Sequence, residues 1–172
     1  MKKVIFMVDS SGSISLDDTL RVGQINDLLR DAVRKCIDKG TTDISIICYS
    51  DKARVYWNYT EDTKFFYDIP ESKFGGRSNL GQAYNYIKNE FIVKSRIPLS
   101  NCVIVLISDG EATDNYRKYL KLLDGNNQSK RIALSIGTSN ATTSHHASGY
   151  DMEFKHGISD RDGFLNKLGD VL

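Results

Sequence analysis

The chain has 172 residues, 40% of them hydrophobic and 26% charged, which fits one soluble domain with a sizeable core. The formal net charge is +1 and no basic run stands out, so nucleic acid is excluded as the expected main partner. No stretch approaches the length needed to span a membrane.

In chain order, the first element is the apolar run Val4-Ile5-Phe6-Met7-Val8, a buried β-strand by length and β-branched content. It follows Met1-Lys2-Lys3 and superficially imitates a secretion signal. It stops at Asp9, too early for a signal core, so a cytoplasmic protein is expected. A long helix is expected next. Ile25, Leu28, Leu29, Ala32, Cys36 and Ile37 keep helical spacing, Asp17 and Asp18 suit its first turn, and Lys39-Gly40 is its stop. Residues 43–49 read as a second buried strand and 53–59 as a third, more polar one. The short Ser50-Asp51-Lys52 turn between them predicts an antiparallel pair at a sheet edge. Residues 61–74 predict a short helical turn and then a loop.

Leu80, Ala83, Tyr84, Ile87 and Phe91 mark a second main helix, followed by a strand over 102–108. Tyr116, Tyr119, Leu120 and Leu123 mark another helix, and Arg131 to Ile136 a fifth strand. A polar segment covers 137–151. A short strand near 152–155 and a helix near 160–171 finish the chain. Alternation of strands and helices predicts an α/β layered sheet, mostly parallel, with helices on both faces. In such sheets ligands sit outside the carboxyl ends of the strands.

Three segments place oxygen groups at those ends. Asp9-Ser10-Ser11-Gly12-Ser13 follows the first strand. Phe74 to Ala83 is a glycine-rich loop with a hydroxyl, Ser78, opening a helix. Val103 to Glu111 is a strand ending in Asp109-Gly110. Carboxylate and hydroxyl oxygens are hard donors that suit magnesium, manganese or calcium. Gly12 leaves room where the backbone would pass an ion.

Together, in this order, the three segments resemble the von Willebrand factor type A (vWA) domain and its metal-ion-dependent adhesion site. The resemblance covers essentially the whole chain, 1–172, as a single domain. It implies a three-layer Rossmann-like fold with strand order 3-2-1-4-5-6 and strand 3 antiparallel. It also implies a metal held by Asp9, Ser11, Ser13, Ser78 and Asp109. Ser78 stands where the family has Thr, and Arg77 where it often has another glycine, which would bring a cation beside the metal. The shell holds few anionic ligands, which favours magnesium, and the ion would accept an Asp or Glu from a partner protein. The implied function is a divalent-cation-dependent protein–protein interaction module, not an enzyme.

Stand-alone bacterial members of similar size resemble the proteins encoded with tellurium-resistance and related stress systems. An adaptor subunit of a chelatase-like ATPase system is an alternative. A haloacid-dehalogenase-like phosphatase is another, since Asp109 to Asp114 imitates its acid pair. That chemistry needs a second Asp two residues after the nucleophile, and Ser11 stands there. Cys36, Cys48 and Cys102 lie in apolar stretches and read as buried free thiols. His145, His146 and His156 lack a surrounding ligand cluster and read as solvated rather than zinc-binding. The tyrosines read as packing residues. The 137–151 segment is expected as a long rim loop that discriminates among partners.

Overall fold

The computed structural model describes residues 2–16, 19–60, 63, 66–109, 112–123, 129–136, 152–154 and 160–172. Strand β1 (Lys3–Asp9) lies at the centre of a six-stranded sheet with β2 (Asp43–Tyr49), β3 (Ala53–Asn58), β4 (Cys102–Ser108), β5 (Lys130–Ser135) and β6 (Met152–Phe154). The order is β3-β2-β1-β4-β5-β6, and only the β2–β3 pair is antiparallel. This is the expected strand order, with the aromatic third strand at the edge.

Every residue of β1 and β4 is buried, because helices cover both faces of the sheet. Alternate side chains enter two separate cores. Val4, Phe6 and Val8 pack with helix α2 (Thr19–Asp38) and the C-terminal helix α5 (Arg161–Val171). Ile5 and Met7 pack on the other face with helix α3 (Leu80–Ile87) and the short helix α4 (Tyr116–Leu120). This period-two division is what a strand buried on both faces produces.

Helix α2 ends where Lys39-Gly40 predicts. Gly40 takes φ +76°, its N–H donates to the Ile37 carbonyl, and the Thr41 N–H donates to the Cys36 carbonyl. That is the hydrogen-bond pattern of a left-handed glycine stop. Its start differs from expectation. A separate short helix, α1 (Gly12–Leu16), comes first and buries Ile14 in the α2-side core. Asp17 and Asp18 lie outside the described residues.

The second main helix also differs. After Ile87 it widens into a π-helical turn over Lys88–Lys94. The wider turn sets two successive residues, Phe91 and Ile92, against the core that α3 covers. The described residues of 61–74 reverse the expected order: residues 66–70 are irregular and a 3₁₀ turn at Glu71–Lys73 comes at the end. All three cysteines are buried and free. Among the described residues no helix is long and apolar enough to cross a membrane.

Candidate metal centre

Parallel pairing brings the carboxyl ends of β2, β1 and β4 to one rim. Loops from both sides close over it. The Gly75 N–H donates to the Ser10 carbonyl at 2.8 Å, the Gly12 N–H to the Gly76 carbonyl at 3.1 Å, and the Asn79 N–H to the Ser50 carbonyl at 3.1 Å. Gly76 has φ +79°, and a Cβ there would stand 2.4 Å from the Asp51 carboxylate. The backbone conformation therefore favours glycine at this crossing, and any larger side chain would also have to push the exposed Asp51 carboxylate aside.

Asp9 is fully buried at the end of the central strand. Its Oδ1 accepts the Ser11 N–H at 2.9 Å. Its Oδ2 accepts three hydroxyls: Ser78 at 2.7 Å, Ser108 at 3.0 Å and Tyr49 at 3.3 Å. The Ser11 and Ser13 hydroxyls lie 3.0 Å apart, and Ser13 donates to Asp109 Oδ2. The five residues singled out in the sequence thus form one continuous hydrogen-bonded chain: Ser78, Asp9, Ser11, Ser13 and Asp109. Burial, and then the negative charge of Asp109, push the Asp9 carboxyl up to about 6, against the hydrogen bonds from Ser11 and Ser78.

Tyr49 and Ser108 are donors that sequence reasoning missed. Tyr49 pairs directly with Asp9 across the β1–β2 register, and Val8 pairs with Ile107, so Ser108 follows level with Asp9. The signal was their position at matching strand ends, readable once the strand order is fixed. Asp114 was read only as part of a phosphatase-like acid pair. It lies apart from Asp9, accepting the Gly81 N–H at 3.1 Å, and burial raises its pKa. Arg77 is exposed; its backbone N–H, not its guanidinium, bonds Asp51, at 3.2 Å. Glu111, the 137–151 loop, His145, His146 and His156 lie outside the described residues.

The donor set fits a hard divalent cation. It consists of oxygen alone, and among the described residues no group of three His, Cys, Asp or Glu side chains comes together. Hydroxyls, backbone carbonyls and water would therefore have to complete any shell. Neighbouring oxygens around an octahedral magnesium lie about 3.0 Å apart, which follows from magnesium–oxygen distances of about 2.1 Å. The Ser11–Ser13 contact, at 3.0 Å, matches that spacing, while Ser78–Asp9, at 2.7 Å, is an ordinary hydrogen-bond distance that an ion would have to widen.

A model of the von Willebrand factor type A domain matches residues 3–150. The chain belongs to that family. Solved structures agree with the vWA fold across nearly the whole chain. Proximal thread matrix protein 1 from the mussel byssus matches with a TM-score of 0.71 at 14% identity, over 99% of this chain and 48% of that one. The chain therefore spans about half the length of the mussel protein. An aerotolerance-related membrane protein from Bacteroides fragilis matches at 0.71 and 16% identity, over 100% of both chains. BatB from Bacteroides thetaiotaomicron matches at 0.70 and 15%, over 99% of this chain and 98% of its own. At such identities the likeness is one of fold. A second structure of the mussel vWA protein, with a TM-score of 0.68 at 13% identity over 99% of this chain and 48% of that one, has its metal-ion-dependent adhesion motif occupied by zinc.

Proposed function

We propose that this vWA domain is a divalent-cation-dependent protein–protein interaction module. Asp9, Ser11, Ser13, Ser78 and Asp109 would hold the ion, most readily magnesium. The observation that carries the reading is the state of Asp9: a fully buried carboxylate, ringed by hydroxyls and beside a second carboxylate. An isolated buried negative charge is costly, and a divalent cation would offset the charge of Asp9 where it sits beside Asp109. Bound there, the ion would supply Lewis acidity toward a carboxylate from outside.

The residues' own part is to keep that acidity available. Neutral hydroxyls make up most of the cluster, so the charge of a divalent ion would be little more than balanced by Asp9 and Asp109. A partner's Asp or Glu can then complete the shell. The zinc found in the mussel protein's motif supports a divalent ion at this position of the fold. An interaction role also agrees with the family, whose domains are generally binding modules rather than enzymes. Ser11, hydrogen-bonded to Ser13, offers no acid–base group for phosphoryl chemistry.

Calorimetric titration with manganese tests the reading. Wild type binds one equivalent, and Asp9→Ala abolishes binding while its circular dichroism stays native. Unchanged affinity in Asp9→Ala removes this cluster from any metal site. Retention of a partner protein in magnesium, its loss in chelator and its loss with Asp9→Ala test the second half.

A further inference from the structure

The segment after β4 is tied to the loop that carries Ser78. The Thr113 N–H donates to the Ser78 carbonyl at 2.8 Å. The Thr113 hydroxyl donates to the Asn79 side-chain carbonyl at 3.0 Å. Asp114 Oδ1 accepts the Gly81 N–H at 3.1 Å. Asn79, at the start of α3, makes no side-chain capping bond of its own. Asp114 supplies the cap from another element, where free N–H groups and the helix dipole favour a carboxylate. The fit is close: a Cβ on Gly81 would stand 2.7 Å from Asp114 Oδ2 and 2.5 Å from the Tyr119 ring. On the opposite side, the Asn79 N–H is held by the Ser50 carbonyl at 3.1 Å. Ser78 is thus pinned between two neighbours, and its hydroxyl reaches Asp9 from a backbone that those neighbours fix.

We infer that Asp114, with Thr113, is a positioning residue that sets the Ser78 hydroxyl and through it the affinity of the site for a divalent cation. The inference rests on the metal reading proposed above. A cap that served the helix alone would need only the Gly81 bond. Here the same short segment also grips the carbonyl of Ser78 and the side chain of the residue after it.

Manganese titrations of wild type, Asp114→Ala, Asp114→Asn, Ser78→Ala and the Ser78→Ala/Asp114→Ala double variant test this. Asp114→Ala weakens binding by about tenfold, the scale of one charge-assisted hydrogen bond. Asp114→Asn, which keeps an acceptor oxygen, recovers most of the loss. In the Ser78→Ala background Asp114→Ala changes affinity less than about twofold, since the effect passes through Ser78. In metal-free protein, amide exchange at Gly81 quickens in Asp114→Ala. Leu168→Ala, in the core under α5, lowers stability and leaves manganese affinity unchanged.

Wild-type affinity in Asp114→Ala together with fast Gly81 exchange reduces Asp114 to a plain cap and overturns the inference. A tenfold loss that persists in the Ser78→Ala background does the same, as does a matching loss in Leu168→Ala. Wild type that binds no manganese refutes the metal site itself, and the inference with it.

Discussion

Metal-free protein should lose stability as pH rises from about 4 to about 7, and Asp9 is the reason. Folded, its carboxyl titrates at about 6, against the ordinary 3.8 of an aspartate in the unfolded chain. Between those values the folded state holds the proton and the unfolded state has released it. The folded state binds more protons, so stability falls with rising pH, the reverse of a salt-bridged aspartate. A difference of about two pKa units corresponds to about 3 kcal/mol over the whole window. Roughly two thirds of that falls between about pH 4.5 and about pH 7.5. The assay is urea unfolding in chelator across this range, for wild type and for Asp9→Asn. Carboxylates remote from Asp9 titrate equally in both proteins, so the difference between them reports Asp9 together with the Asp109 charge coupled to it. Wild type should lose about 2 kcal/mol relative to Asp9→Asn across the measured range. Saturating magnesium should remove the loss, because the carboxylate then gains the counter-charge it lacks. A difference that is flat with pH, or that rises, would refute both the perturbed carboxyl and the argument that the cluster is short of a cation.

Two further outcomes follow from packing and burial. Asn26, itself buried, donates to the Ile69 carbonyl at 3.1 Å and accepts the Ile69 N–H at 2.9 Å; Asn26→Ala should cost about 2–3 kcal/mol in urea unfolding, and a loss under about 0.5 would show the strap before residue 70 to be held otherwise. Burial pushes the thiols of Cys36 and Cys48 up to about 12 and that of Cys102 to about 11, so a disulfide reagent should find no fast thiol in native protein and three after denaturation; rapid native labelling would contradict their burial.

The strands were legible because the sheet is covered on both sides, whereas their order came only from the resemblance to the vWA family. A doubly buried strand must be apolar without alternation, and the runs at 4–8 and 103–107 announce themselves. The oxygen cluster was legible for a related reason. Asp9 and Asp109 interrupt those runs abruptly, and parallel pairing carries both interruptions to one rim. Tyr49 and Ser108 escaped notice because each looks ordinary within its own strand. Their hydroxyls acquire a target only through cross-strand register, which is a property of pairs. The Thr113–Ser78 and Asp114–Gly81 bonds join residues more than thirty positions apart and leave no local pattern. The π-helical turn escaped for the opposite reason: Leu80, Ala83, Tyr84, Ile87 and Phe91 fit an ordinary helix, and nothing in that spacing signals the wider winding that sets a half-buried Ile92 beside Phe91.

Hydroxyls dominate the rim cluster, and a hydroxyl can turn its proton about the C–O bond while its oxygen stays in place. Ser13, Ser78, Ser108 and Tyr49 point their protons at Asp9 or Asp109. The same oxygens can offer lone pairs to an arriving ion by rotation of those protons alone. One heavy-atom framework therefore serves two proton arrangements. A cage built mainly of carboxylates would spring open through self-repulsion whenever its ion departed. Hydrogen bonds hold the oxygens of this cluster together, and an ion binding there would have to displace some of them. For the proposed metal site the consequence is that an ion would load and unload with the local concentration of divalent ions, without any refolding of the rim.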